Sequence, residues 1–122
     1  MLYKKIIIIF LLLTLASCSK NDQNLSENNI SKDNLETGMI KAYKEGVEAL
    51  GRGDAIYAQK KFNEAEMLFP QSDWAPRASL MSAYSYYTQQ YYSSSLDELK
   101  RFIKLYSNSS NLDYAYYLTA MC

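Results

Sequence analysis

The chain has 122 residues, 48% hydrophobic and 14% aromatic with 4 Gly and 2 Pro, a composition for one mainly helical unit rather than several domains. Thirteen basic residues balance thirteen acidic ones and histidine is absent, which removes the commonest general base and the commonest metal ligand together. No basic face suited to phosphates is implied, and the two cysteines have neither CxxC nor Cys/His spacing, so no nucleic acid, metal or cofactor is expected.

Met1 to Lys5 is a short basic start, Ile6 to Leu13 an unbroken apolar run, and Thr14 to Ser17 shortens to small residues before Cys18. This is a secretory leader, too short for an ordinary membrane span. Its end, Leu15-Ala16-Ser17-Cys18, resembles the lipobox of bacterial lipoproteins, and the resemblance implies cleavage before Cys18 and lipidation of that cysteine. Acyl chains on one residue hold a protein on a membrane while its body stays in water. Ser19 rather than Asp after the cysteine implies, by the same analogy, sorting to the outer membrane. Residues 1–17 are therefore the expected signal peptide and 18–34 the lipidated cysteine with a flexible tether, because Ser19 to Asn34 has too few apolar groups to fold alone. The Asn-x-Ser sequences at Asn24 and Asn29 are read beside the lipobox as composition.

From residue 35 the pattern becomes helical. Asp33 with Glu36 makes a capping box, and Met39, Ala42, Tyr43, Gly46, Val47 and Leu50 recur at helical spacing, predicting a first helix from Leu35 to Gly51. Gly51-Arg52-Gly53 breaks it and Asp54 caps a second, carrying Ala58, Phe62, Ala65, Met67, Leu68 and Phe69 and stopped at Pro70. Ser72 or Asp73 caps a third, with Pro76 in its first turn, and Ala78, Leu80, Met81, Ala83, Tyr84, Tyr86 and Tyr87 form its apolar surface. Tyr91 to Ser94 is the expected turn before a fourth helix carrying Leu96, Leu99, Phe102, Ile103 and Leu105. A polar loop from Asn108 to Asn111 leads to a fifth, Leu112 to Met121.

Laid over itself at an offset of 37 residues, the chain matches Gly46 with Ala83 and Ala120, Tyr43 with Leu80 and Tyr117, Phe62 with Leu99, and Phe69 with Tyr106. A period of this length belongs to helical solenoids, whose hairpins bury apolar faces only against their neighbours and whose natural role is to present a surface. Gly46, Ala58, Phe62, Ala65 and Pro70, at spacings of 12, 4, 3 and 5, resemble the small, small, aromatic, small and proline positions of the tetratricopeptide repeat. Small residues there let two antiparallel helices approach. The second repeat keeps Ala83, Ser95 and Leu99 but has Phe102 for a small residue and Ser107 for the proline. The expected fold is all-α, a tetratricopeptide-like helical-hairpin solenoid of about two and a half repeats over residues 35–122.

Phe69-Pro70, Trp74-Ala75-Pro76-Arg77-Ala78, Ala83-Tyr84-Ser85-Tyr86-Tyr87, Arg101-Phe102-Ile103-Lys104-Leu105 and Asp113-Tyr114-Ala115-Tyr116-Tyr117-Leu118 together resemble the N-terminal half of the BamD family, lipoproteins of the bacterial outer-membrane β-barrel assembly machinery. The loop where that family places Pro-x-His-Pro reads Ser107-Asn108-Ser109-Ser110, and the family carries about five repeats, so the chain is read as a truncated member. The resemblance implies a non-enzymatic scaffold on the periplasmic face of the outer membrane. Its implied partners are a barrel-forming BamA-like subunit, other assembly-complex lipoproteins and unfolded outer-membrane protein precursors.

In such repeats the first helix of each hairpin lines the concave surface, which nominates Tyr43, Val47, Leu50, Arg77, Leu80, Tyr84, Tyr87, Tyr114 and Tyr117 as a peptide-binding face. Two roles are open for these rings and for the other tyrosines, twelve in all: filling inter-helix space, or contacting a peptide, since tyrosine is enriched in contact patches. An alternative within the binding class is another envelope repeat lipoprotein, serving cell division or peptidoglycan. An enzyme would have to use Glu45, Glu48, Glu64, Glu66, Asp97 or Glu98, which are expected on polar helix faces without the enclosure that separates the pKa values of paired acids.

Overall fold

The computed structural model describes residues 24–122, with side chains from residue 32 onward, and the packing considered below is that of Ser31–Cys122. Five helices follow one another: α1 (Asn24–Gly51), α2 (Ala55–Leu68), α3 (Ala75–Thr88), α4 (Tyr92–Leu105) and α5 (Leu112–Met121). Among the described residues there is no strand, and the all-α fold of helical hairpins expected from the repeat is the one observed. The leader, the Leu15–Cys18 motif and residues 18–23 of the expected tether lie outside the described residues, whereas residues 24–34, expected as flexible tether, belong to α1.

Local chemistry explains the boundaries. Asn24 to Asn34 contains no Gly or Pro, so nothing breaks the helix there; α1 begins at Asn24, and Asp33 is an interior residue rather than the cap of a helix starting at Leu35. Its end closes by Arg52 N–H to the Glu48 carbonyl at 3.1 Å and Asp54 N–H to the Ala49 carbonyl at 2.9 Å, with Gly53 in the left-handed region at φ 82°. Asp54 caps α2 as expected, its carboxylate accepting from Tyr57 N–H at 3.1 Å. For α3 the expected side-chain cap is not made. Trp74 occupies the cap position, Pro76 sits in the first turn, and Ser72 Oγ donates instead to the Phe69 carbonyl at 2.7 Å, tightening the turn after α2. The turn between α3 and α4 is shorter than expected: Gln90 takes φ 61° and ends it, so Tyr92, Ser93 and Ser94 already belong to the first turn of α4.

Three apolar clusters hold the hairpins. Ala49, Ala58 and Phe62 lock α1 to α2, with Tyr43, Leu50 and Met81 against them. Met39, Ala42, Ala65 and Ala78 join that hairpin to α3. Leu80, Ala83, Leu99, Phe102, Ala115 and Leu118 bind α3, α4 and α5. The small residues do what the repeat pattern requires: a Cβ on Gly46 would lie 2.8 Å from the Phe62 ring, and Ala58, Ala65 and Ala83 are fully buried. Ser95, the counterpart of Ala58, is buried with its hydroxyl donating to the Ala83 carbonyl at 2.9 Å, a hydrogen bond that fastens α4 to α3. Ala120, in register with Gly46 and Ala83, is exposed.

Candidate functional site

The nominated residues divide into a groove, a tyrosine cluster and two positions that turn inward. On α1, Tyr43 packs edge-on against the Phe62 ring at 5.3 Å and against the Trp74 ring at 5.2 Å. Burial pushes the Tyr43 phenol upward from its ordinary pKa, partly opposed by the positive charge of Arg77. Val47, 46% exposed, stands open beside it. Ile40, Tyr43, Val47 and Trp74, with Lys44 and Glu48, line a cavity of about 330 Å³ whose walls are mostly apolar. Arg77 lays its guanidinium over the Trp74 ring, 5.2 Å from the centroid. It also lines a separate polar cavity of about 600 Å³ with Ser72, Asp73 and the Ser107–Asn111 loop, where the family motif is replaced.

Tyr84 and Tyr87 stack at 6.2 Å on α3, Tyr87 meets Tyr92 at 5.9 Å, and Tyr114 meets Tyr117 at 6.0 Å on α5. Burial, together with the neighbouring Tyr84, Tyr117 and Tyr87, raises the Tyr114 phenol above its ordinary pKa. Tyr84 and Tyr87 are half-buried against the third cluster, whereas Tyr114 and Tyr117 are exposed. The patch thus has inner rings that are packed and outer rings that are open.

Leu80 is 7% exposed and belongs to the core among Ala83, Leu99 and Phe102. Its expected place on the face is corrected to packing, because the α3 stripe that meets α4 and α5 includes it. Leu50 is half-buried on the Ala49, Ala58 and Phe62 cluster and contributes little to the open surface. Cys18 lies outside the described residues.

Sequence reasoning missed Ile40 and Trp74. Ile40 carried a signal, since the 37-residue offset maps it onto Arg77 and Tyr114, both nominated. Trp74 precedes α3 outside any helical stripe and had none. Glu66, expected on a polar face, is instead buried at 7% exposure. It accepts two bonds from Arg101, at 2.8 and 2.7 Å, and one from the Tyr106 hydroxyl at 2.7 Å. Arg101 continues to Ser79 Oγ at 3.0 Å and to Glu98 at 2.9 Å. Its guanidinium is held charged by Glu66, and the Tyr106 phenol is pushed up by burial and by the bond to Glu66. Both Glu66 oxygens are engaged in these structural bonds.

Residues 36–122 match the family model YfiO, described as an outer membrane lipoprotein. Curated proteins named outer membrane protein assembly factor BamD are similar to the chain. The one from Caulobacter vibrioides is 36% identical over 80 residues, 66% of this chain and 26% of that protein. The one from Rickettsia prowazekii is 30% identical over 110 residues, 89% of this chain and 40% of its own length. The one from Neisseria gonorrhoeae is 29% identical over 119 residues, covering 97% and 43%. The chain thus spans between about a quarter and under half the length of these relatives. No solved structure matches it.

Proposed function

The chain belongs to the YfiO family of outer-membrane lipoproteins, and from that membership we propose that it is a non-enzymatic scaffold for outer-membrane protein assembly. In this reading its repeats present the α1, α3 and α5 face to unfolded β-barrel precursors, while a BamA-like barrel-forming subunit and other lipoproteins of the assembly complex are its partners. Lipidation at Cys18 holds the body on the periplasmic side of the outer membrane. Among the described residues no helix is long and apolar enough to cross a membrane, so attachment of this body would come from its lipid and its partners.

The observation that carries the reading is the apolar groove of Ile40, Tyr43, Val47 and Trp74 beside Arg77. An extended segment ending in an aromatic residue finds there a ring-lined slot for the side chain and a cation for the terminal carboxylate. The tyrosine cluster supplies a second set of rings. With the repeats in the assembled protein, Tyr84→Ala together with Tyr87→Ala is expected to weaken crosslinking to the C-terminal segment of a precursor by ~1 to 2 kcal/mol. Val47→Asp, which puts a carboxylate in the groove, is expected to weaken it without disturbing the core. Undiminished crosslinking in both variants, each verified as helical by circular dichroism, would assign these rings to packing alone. For the anchor, mass spectrometry of membrane-extracted protein is expected to find an acylated N-terminal Cys18, and Cys18→Ala to release the protein or block its processing; unmodified mature protein in the soluble periplasm would exclude it.

A further inference from the structure

Among the described residues, every side-chain hydrogen bond that reaches from the first hairpin (α1, α2) to the second (α3, α4 and the Tyr106 that follows) ends on one carboxylate, Glu66. The remaining contact between these hairpins is apolar, formed by Met39, Ala42, Ala65, Ala78 and Met81 with the rings beside them. Apolar contact is non-directional, and ridge-into-groove packing selects a crossing angle only to within about 15–20°. A two-point fork between guanidinium and carboxylate is directional in both distance and plane. The fork is further constrained at both ends, because Ser79 on α3 and Glu98 on α4 hold the guanidinium while Tyr106 holds the carboxylate.

From this we infer that the Glu66–Arg101–Tyr106 tie sets the angle between the two hairpins, with Arg101 as a positioning residue. The α1 wall of the groove (Ile40, Tyr43, Val47) stands on one side of that junction, and Trp74 at the cap of α3 with the Tyr84, Tyr87, Tyr114 and Tyr117 cluster on the other. The angle therefore sets the spacing between the two sides, and its meaning for peptide capture rests on the reading proposed above. Glu66 is buried and Arg101 only partly so, and such a pair is an uncertain source of net stability, which leaves its geometry as its main contribution. Glu66 and Arg101 lie 35 residues apart on the second helices of successive hairpins.

The test measures spin-label distances between the exposed positions Lys60 on α2 and Asp97 on α4, each changed to Cys, in the full chain with Cys18→Ser and Cys122→Ser. The unaltered tie is expected to give a single narrow distribution. Arg101→Met, which keeps the stem and removes the fork, is expected to at least double its width, and Arg101→Lys, a single point charge, to fall between. A folded Arg101→Met protein with unchanged width would overturn the inference. If that variant does not fold, Tyr106→Phe, which deletes one hydroxyl, is judged on the same two outcomes. Peptide crosslinking read in parallel separates the claims: a broadened distribution with capture intact keeps the tie as the setter of the angle and removes its role in binding. Loss of capture in Val47→Asp with the distribution still narrow bears on the groove alone.

Discussion

Gly46 and Phe62 show how much a single position settles. The Phe62 ring is fully buried, pressed by Tyr43 on one edge, and the place where a Gly46 Cβ would stand is 2.8 to 3.0 Å from three of its carbons. Alanine at an interior helical position normally gains up to about 1 kcal/mol over glycine, but here the ring has nowhere to go, and overpacking costs about 1 to 3 kcal/mol. Gly46→Ala is expected to lower the urea midpoint despite its better helix propensity. Tyr106 gives a second test at this scale. Its folded pKa is raised above the ordinary value of about 10, so the stability it contributes is complete below that pH and is lost as pH rises through the folded pKa. Alkaline unfolding curves are expected to fall less steeply above pH ~10 in Tyr106→Phe than in the parent, and absorbance titration to show one fewer late-ionising phenol. Gly46 was legible in the sequence because it recurs as Ala83 and Ala120. Tyr106 was legible only as a bulky partner of Phe69; the carboxylate that makes it matter comes from 40 residues away.

At the scale of elements, the helices differ in how many sides are covered. α3 is packed by α2 on one side and by α4 and α5 on the other, and seven of its residues are buried. α5 docks through Ala115 and Leu118, helped by Leu112 and Cys122, while Tyr116, Tyr117 and Met121 are open. Local opening follows the number of buried apolar contacts. Hydrogen exchange in the monomer is expected to leave α5 the least protected of α2 to α5 and α3 the most; protection of α5 equal to that of α3 would refute this. The element boundaries that the sequence missed share one cause. Helix ends depend on where backbone groups find partners, and the start of α4 rests on the positive φ of Gln90, which no residue type there announces. Asp54 was legible because a carboxylate before a helix has one common use.

For the molecule as a whole, the nearest-neighbour logic of stacked hairpins predicts where damage spreads. Phe62→Leu trims the first hairpin and Leu99→Val the second, at matching positions of the repeat. Each is expected to cost ~1 kcal/mol and to raise exchange mainly in its own hairpin. Equal loosening of both hairpins in either variant would show that the body unfolds as one unit. The charge balance adds little at this scale. Lys61, half-buried, bridges Glu45 on α1 and Glu64 on its own helix at 2.8 Å, and pairs still in reach of water contribute modestly and are screened by salt.

What the sequence by itself determined is everything carried by recurrence: the helical class, the hairpins, the small residues between paired helices and the face on which Tyr43, Val47, Tyr84 and Tyr117 recur. Such features repeat because each hairpin solves the same packing problem, and repetition is visible in one dimension. Only the tertiary structure decided which members of that face stay open, placing Leu80 in the core and bringing Trp74 from a loop to complete the groove. It also turned Glu66 inward to meet Arg101. Those outcomes depend on the angle at which one hairpin lies on the next, and that angle follows from contacts between residues a full repeat apart, which composition and periodicity do not encode.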